Sequence, residues 1–168
     1  KSREAQELAM TRIPRHAPKE MNYGMPYQTL GNMMIDFPDQ NDYSEYYRDL
    51  DIKNAIATVR YKIGDTTYKR EYFTSAVDQV IAIHLSADKK KSINFTLRVN
   101  TPQFDNSIRT ENNTLILKGK SGNADNKEGK IEFTARFQPK IVGGKIEQTD
   151  SSLHIRDANS AVIYVVIA

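Results

Sequence analysis

The segment INFTLRV, residues 93–99, decides the fold class of this 168-residue chain. Its apolar side chains stand at every second position, and polar side chains stand between them. Successive side chains of a β-strand point to opposite faces of the sheet, so this spacing predicts a strand with one buried face and one face in water.

The same period of two recurs on both sides of this segment. Residues 131–137 repeat it, and residues 55–63 and 67–74 form two more alternating runs that are interrupted by Gly64 and Asp65. A short polar interruption between two such runs predicts a long antiparallel hairpin. Further strands are predicted at residues 30–37, 46–50, 79–85, 114–118, 145–148, 153–155 and 162–167.

Short polar turns separate these predicted strands, and the sequence after Pro14 offers no helical crossover. Parallel strands need such crossovers, whereas antiparallel strands are joined by short turns. We therefore predict an all-β protein, an antiparallel β-sandwich of the supersandwich-like kind with a short N-terminal helix.

The helix is predicted at residues 2–13, which are rich in Ala, Glu, Gln, Leu and Arg. Pro14 ends it. We divide the chain into an N-terminal helix with its connecting loop, residues 1–22, and an antiparallel β-sandwich domain, residues 23–168. A helix this short is marginal alone in water, and we therefore expect the chain to be part of a longer protein.

Composition excludes several classes of function. The chain has no Cys, which excludes a disulfide framework, a thiolate zinc site and a cysteine nucleophile. Its 24 basic and 21 acidic residues give a net charge of +3, a mild excess that does not predict nucleic-acid binding. The longest apolar run, residues 161–168, is much shorter than the roughly 18 residues that span a bilayer, so no membrane span is predicted. A chain of this length needs no cofactor or metal to complete its core.

The residue types that most often carry chemistry form no recognisable motif. His16, His84 and His154 lack the spacing of a shared metal site, and we interpret them as structural or solvated, with His84 packed at a sheet face. No serine-nucleophile motif is present. Gly143 and Gly144 lack the spacing of a phosphate-binding loop and are interpreted as a turn or bulge.

Two polar loops are interpreted as ordinary surface loops. The loop around Asn123 and Asp125 superficially resembles a calcium loop, but Lys127 and Glu128 stand where a third oxygen ligand and a glycine are required. We interpret it as a polar hairpin loop. The lysines at residues 89–91 are interpreted as a solvated turn that discourages edge pairing.

Carboxylates and tyrosines leave alternatives open. A glycosidase needs two carboxylates on either side of the scissile bond, and the sequence does not say whether any candidates face each other. Tyrosines stack on sugar rings, but on strands they also serve as core or cross-strand packing. The carboxylate candidates are Asp49, Asp51, Glu71 and Asp78, and the tyrosines are Tyr43, Tyr46, Tyr47, Tyr61, Tyr68 and Tyr72.

Five blocks of sequence, in order, are similar to blocks of one known family. They are EAQELA (residues 4–9), YQTLG (27–31), YYRDLDI (46–52), YKREYFTS (68–75) and DQVIAIHLS (78–86). The sequence GGKI followed by LHIRDANSAVIYVVIA also fits the close of the same domain. The chain thereby resembles the N-terminal β domain of glycoside hydrolase family 95, the α-L-fucosidase and α-L-galactosidase family.

The resemblance implies that catalysis belongs to another part of the protein. In the family, an (α/α)6 helical barrel C-terminal to this domain carries a Glu as general acid and an Asp, with Asn partners, that activates water in an inverting reaction. We therefore assign no catalytic, substrate-binding or metal-ligating residue here. The expected partners are that C-terminal helical-barrel catalytic domain and the glycan substrate of the parent enzyme, and the expected location is periplasmic or extracellular in a bacterium. The alternative is a stand-alone carbohydrate-binding module.

The matched blocks are interpreted as structure. Arg48 and Arg70 are expected to pair with Asp49, Asp51 or Glu71. The family's opening block is missing, so we also expect an exposed sheet edge or apolar groove and a tendency to self-associate. The core is expected to include Leu50, Ile52, Phe73, Val80, Ile81 and Ile83.

Overall fold

The computed structural model describes residues 2–12, 27–38, 40–124 and 127–168. Within these ranges one α-helix, α1 (Ser2–Arg12), precedes twelve β-strands. The strands are β1 (Asn32–Asp36), β2 (Ser44–Asp51), β3 (Ile56–Ile63), β4 (Thr66–Ser75), β5 (Val80–Ala87), β6 (Ile93–Asn100), β7 (Asn106–Glu111), β8 (Thr114–Lys120), β9 (Glu132–Val142), β10 (Lys145–Gln148), β11 (Ser152–Ala158) and β12 (Ser160–Ile167).

The strands form two antiparallel sheets of unequal width. A four-stranded sheet has the order β1-β6-β11-β10, and an eight-stranded sheet has the order β2-β3-β4-β5-β12-β9-β8-β7. Every strand pair in both sheets is antiparallel. The predicted fold class, an all-β antiparallel sandwich, is confirmed, as is the hairpin of β3 and β4.

The core lies between the two sheets and confirms the period of two in INFTLRV. Its four apolar residues are all buried, and their side chains share one cluster with those of the neighbouring strand β11 and of β5, β8, β9 and β12 in the large sheet. The largest fully buried members of this cluster are Phe95, Leu85, Leu97, Leu115, Leu117, Leu153, Ile155 and Ile163.

Strand β7 was not predicted from the sequence. Its sequence NSIRTE contains one apolar residue, Ile108, so no alternation marks it. The hairpin signal lies in Asn112 and Asn113, which have φ angles of 49° and 57° in the turn to β8. Asn tolerates this left-handed conformation better than most residues, which suits a tight hairpin turn.

The expected core set is wrong for four of its six residues. Leu50 is 63% exposed and Ile52 is 86% exposed, and Phe73 and Ile81 are exposed as well. Ile83 does belong to the core, and Val80 is half-buried. Leu50 shares the inner face with Tyr72 and Ile83, and its exposure follows from the difference in width, because β6 and β11 of the small sheet lie against β5, β7 and β8 and leave β2 beyond their reach. Phe73 follows the inward-facing Tyr72 on β4 and therefore points to the outer face of the sheet. Ile52 lies beyond the end of β2, and Ile81 lies near the start of β5.

Two predicted boundaries lie near the ends of elements. Ile131 was expected in strand β9 but precedes it and is exposed. The predicted division between residues 22 and 23 and the helix end at Ile13 fall outside the described residues, so the domain limits stay a prediction.

A matched pair of leucines tests this account of the core. Leu153 is fully buried, and Leu153→Ala is expected to lower the free energy of unfolding by about 2–5 kcal/mol, because it removes packed methyl groups and leaves a cavity. Leu50→Ala is expected to cost about 0.5 kcal/mol or less because the side chain is mostly in water. Urea denaturation of both variants measures the difference, and equal losses would contradict the assignment.

Candidate functional site

In the part of the chain that the structure describes, a side-chain network surrounds Arg70 on β4. We call it the Arg70 cluster: Phe37, Gln40, Tyr61, Tyr68 and Arg70. The Arg70 guanidinium lies over the Phe37 ring at 3.9 Å and over the Tyr61 ring at 4.8 Å. Arg70 Nη2 donates to the Tyr61 hydroxyl at 2.5 Å and to Gln40 Oε1 at 3.1 Å, and the Tyr61 hydroxyl donates to Gln40 Oε1 at 2.5 Å. The rings of Tyr61 and Tyr68 stack with centroids 5.4 Å apart.

The Arg70 cluster fixes the connection between β1 and β2 against the sheet. Burial raises the pKa of the Tyr61 hydroxyl, and the nearby Arg70 charge partly opposes that rise. Within the described residues, Arg70 Nε is buried without a hydrogen-bond partner. The other polar groups of the cluster, Arg70 Nη2, the Tyr61 hydroxyl and Gln40 Oε1, are directed at one another, which suits a structural clamp better than a substrate site.

The expected ion pairs of Arg70 are wrong. Arg70 and Glu71 are consecutive on one strand and point to opposite faces of the sheet. Glu71 accepts from Lys69 Nζ at 2.7 Å and lies 3.2 Å from His84 Nδ1. Asp51 instead accepts two hydrogen bonds from Asn54, from its backbone N–H and from its side-chain Nδ2.

The tyrosines divide into two groups. Tyr61, Tyr68 and Tyr72 lie on β3 and β4 and are buried or half-buried. Those near the start of the edge strand β2 are each more than half exposed, and their members are Tyr43, Tyr46 and Tyr47. The exposed group is the aromatic surface that a carbohydrate-binding module would use.

The two histidines that the structure describes, His84 and His154, lie on different strands and do not form a shared site. His84 lies on β5 beside Glu71, and His154 on β11 makes hydrogen bonds with Thr96 Oγ1 and Ser152 Oγ, each 3.1 Å long. His16 lies outside the described residues. Across residues 2–12, 27–38, 40–124 and 127–168, no three His, Cys, Asp or Glu side chains come close enough to hold a metal ion.

Five carboxylates have a pKa that is lowered by their surroundings, which favours their ionised form. A glycosidase general acid needs a pKa raised by burial. Here, hydrogen bonds from neighbouring side chains are the largest cause of each carboxyl shift, and they lower the pKa. The carboxyls whose pKa is lowered in this way are Asp51, Glu71, Glu111, Glu128 and Glu147. Of the other candidates, Asp78 accepts from Ser75 Oγ at 2.6 Å within the turn after β4.

A groove of about 590 Å³ opens beside the strand ends of β1, β8 and β9, between Tyr27, Leu30, Ile131 and Phe133. Two glutamine amides lie at its polar side, but their hydrogen bonds are already made within the protein. Gln28 holds both the N–H and the C=O of Gly122, and Gln103 accepts from the same N–H and donates to the Thr29 carbonyl. The remaining surface of the groove is largely apolar, unlike a pocket that reads sugar hydroxyls.

A second groove, of about 350 Å³, has a polar lining that includes Asp105, Glu132, Lys118 and Lys120. Asp105 and Glu132 are both exposed to solvent. An inverting glycosidase needs its acid and base in a pocket that encloses the sugar. Two exposed carboxylates beside lysines do not provide that enclosure.

Where the structure describes the polar loops, their contacts agree with the prediction of ordinary turns and hairpin loops. Asn123 Oδ1 accepts from the Gly129 N–H, and Glu128 accepts from Lys120 Nζ at 2.7 Å, so both oxygen donors are engaged; Asp125 lies outside the described residues. The GGK sequence forms the turn from β9 to β10. Gly144 has φ of 68°, and a Cβ there would lie 2.2 Å from the Arg156 carbonyl oxygen, so the position requires glycine.

The described residues thus define an antiparallel β-sandwich domain. Comparison with known families assigns this domain to one of them. The chain matches the family described as "Glycosyl hydrolase family 65, N-terminal domain" over residues 2–168, and it belongs to that family. This confirms the coarser part of the resemblance, an N-terminal domain of a glycoside hydrolase, and leaves family 95 itself a prediction.

Two individual relatives are named as α-fucosidases. The chain is 29% identical over 97 residues to "Alpha-L-fucosidase 2" of Arabidopsis thaliana, a match that covers 55% of this chain and 12% of that protein. It is also 29% identical over 103 residues to "Probable alpha-fucosidase A" of Aspergillus niger, covering 61% of this chain and 13% of that protein. The chain therefore matches only a small part of the length of either relative.

Among solved structures, a "Putative kojibiose phosphorylase from human microbiome" aligns with a TM-score of 0.49 and 11% sequence identity. The alignment covers 84% of this chain and 22% of that one. In the part of the chain that the structure describes, no helix has the length and apolar character needed to cross a membrane.

The Lys69–Glu71 pair gives a test by pH. Because the pKa of Glu71 is lowered in the folded state, its contribution to stability is fully present above the ordinary value of 4.5 and is lost as the pH falls through the folded-state pKa. We expect Glu71→Gln to lower the free energy of unfolding at pH 7 by about 0.5–1 kcal/mol, since the pair is partly in water.

This difference should shrink as the pH falls below 4.5. Denaturation curves of the parent and the variant at several pH values measure it. Lys69→Met removes the largest cause of the shift and should flatten the parental pH dependence in the same range. A difference that stayed constant with pH would contradict the assigned shift.

Proposed function

We propose that the chain is the non-catalytic N-terminal β-sandwich domain of a glycoside hydrolase family 95-like α-L-fucosidase, and that it supports a C-terminal (α/α)6 catalytic barrel. The observation that carries the proposal is the match to two proteins named as α-fucosidases, over only 12% and 13% of their lengths. The five sequence blocks listed by residue range above support the same family, in the same order.

The chemistry supports this division of labour. Inverting hydrolysis needs a protonated acid and an ionised base about 6.5–9.5 Å apart, on either side of one sugar. The carboxyls with shifted pKa values in the described residues are all held ionised by donors such as Lys69, Arg109 and Lys120. None of them is suited to the part of a general acid at neutral pH.

The domain limits and the location belong to the same proposal. We take residues 23–168 as the sandwich domain and residues 1–22 as the helix with its connecting loop. An exported enzyme, periplasmic or extracellular in a bacterium, fits a substrate class of glycans. The domain limits rest on the sequence pattern, and the location rests on the resemblance.

An activity assay tests the proposal. The 168-residue chain is expected to show no turnover of an aryl α-L-fucoside, because the acid and the base lie on the barrel. The gene product that contains this chain together with the polypeptide after it is the matched control, and it is expected to hydrolyse the same substrate. Appreciable turnover by the 168-residue chain alone would overturn the proposal.

The second candidate function is a carbohydrate-binding module, and the exposed side chains of Tyr43, Tyr46 and Tyr47 favour it. Calorimetric titration of the chain with fucosylated oligosaccharides separates the two functions. The supporting-domain proposal expects no saturable binding. Millimolar or tighter binding that is lost in Tyr43→Ala and Tyr47→Ala, but kept in the control Tyr164→Ala, would establish the module instead.

A further inference from the structure

The connections at the two ends of the eight-stranded sheet differ in polarity. Because all its strands are antiparallel, the register decides which connections share an end. Asp51 pairs with Ile56 and Ser75 pairs with Val80, so the β2–β3 and β4–β5 turns lie at one end. Further along the sheet, Lys120 pairs with Glu132, so the connection from β8 to β9 lies at this end as well.

Two more connections reach the same end. The segment of residues 101–105 leads from β6 into β7, whose first residue, Asn106, pairs with Gly119 near the end of β8. The residues before β1 are held there too, because Gln28 makes hydrogen bonds with Gly122 in the β8–β9 connection. Five connections therefore meet at this end of the sandwich.

Each of these five connections carries a large apolar side chain that lies mostly in water. Their exposed fractions range from 73% for Ile131 to 98% for Phe104. We call these five residues the apolar end: Tyr27, Ile52, Val77, Phe104 and Ile131.

The opposite end of the sheet has no such side chain in its hairpin turns. The turns between β3 and β4, β5 and β6, β7 and β8, and β9 and β10 have the sequences GD, DKKKS, NN and GG. These contain only polar residues and glycine, as turns on a solvated surface do. Of the exposed tyrosines at that end, Tyr46 and Tyr47 belong to the edge strand β2. Tyr43 lies in the connection from β1 to β2, and its ring packs against Tyr46 and Tyr61 at centroid distances of 5.7 and 6.4 Å.

The segregation cannot be explained by the fold of the domain itself. Single exposed apolar residues are normal on protein surfaces, but groups of them mark interaction sites. A turn does not need Val77 or Phe104 for its backbone geometry, and neither side chain packs into the core. Apolar strand residues near the same end enlarge the exposed apolar surface, whatever the cause of their own exposure, and they are Leu50, Ile81, Val166 and Ile167.

The region also contains grooves, which a partner could fill at a docking surface. The groove of about 590 Å³ lies between Tyr27 and Ile131, and a smaller one of about 180 Å³ opens between the sheets beside Leu30, Ile81 and Ile167. Charges in the connections are of both signs, for example Lys53, Asp78, Asp105 and Lys130. A uniformly charged partner is therefore not indicated.

We propose that the apolar end is the surface on which the catalytic domain of the same polypeptide docks. The inference rests on the proposed function and adds which face is used. A domain of this family is N-terminal to further polypeptide, and the two named relatives have most of their length outside the matched segment. A covalently attached domain is thus the occupant that reaches this face in every molecule.

Hydroxyl-radical footprinting of the full-length gene product tests the surface with a control inside the same molecule. Tyr27 is 93% exposed in this structure and Tyr47 is 55% exposed, so by exposure alone Tyr27 should be oxidised faster. We expect the reverse: Tyr27 oxidised about fivefold more slowly than Tyr47, and Phe104 protected likewise, since the core of an interface excludes water. Tyr27 oxidised as fast as its exposure requires would overturn the docking surface.

The other possible results of the footprinting experiment also decide between the proposal and its alternatives. Protection that disappears on dilution indicates a second copy of the chain as the occupant and overturns the proposal, as does a gene product that ends at residue 168. Unprotected Tyr27 in a gene product whose downstream polypeptide is required for fucoside hydrolysis overturns the docking surface alone and leaves the proposed function standing. Turnover by residues 1–168 overturns the proposed function itself.

Matched variants give a second measurement. The double variant Phe104→Ser, Ile131→Ser in the full-length gene product is expected to release the domain to limited proteolysis about fivefold faster, because it removes two apolar contacts at the interface. Val142→Ser is the control, since Val142 is 62% exposed at the opposite end, and it should leave the rate unchanged. Equal rates for both variants would contradict the inference.

Discussion

The burial of one face of β6 against the eight-stranded sheet is the constraint on which the remaining structure depends. Ile93, Phe95, Leu97 and Val99 point into the core, and β1 and β11 pair with this strand on either side. Full burial of a large apolar side chain contributes about 1.5–3 kcal/mol. A shift of register by one residue would turn all four side chains toward water, so the same burial also fixes how β1 and β11 pair.

The unequal width of the sheets determines which parts of the large sheet are covered and which are exposed to solvent. The four-stranded sheet lies against β5, β7 and β8, and β2 to β4 extend past it. Over β3 and β4 the Arg70 cluster takes the place of a covering strand, with Phe37 stacked on the guanidinium and Gln40 bonded to Tyr61. Leu50, further along β2, has no such cover and stays mostly in water. Apolar strand residues are thus left exposed by the architecture.

The sequence was informative wherever a strand had one buried face, because the period of two then appears in the residues themselves. It located β6 and β10 closely, and it missed β7, whose outer position in the sheet leaves Ile108 as its one apolar residue. It also misjudged Leu50, since a strand's own sequence does not say how far the opposite sheet extends. The Arg70 cluster was beyond sequence reasoning for a different reason: its side chains come from three separate segments that only the register brings together.

At the candidate site, too, the sequence showed some features and not others. Motif reasoning found no catalytic arrangement, and in the described residues the hydrogen bonds of polar groups such as Gln28, Gln103 and Glu71 are made within the protein. What sequence reasoning passed over was apolar: residues such as Val77 and Phe104 stand in turn clusters that were interpreted simply as connections. A turn residue that neither sets the backbone geometry nor packs in the core has no role within the domain. Such residues indicate contacts with a partner outside the domain. Because they lie at one end of the sheet, they indicate that the partner binds at that end.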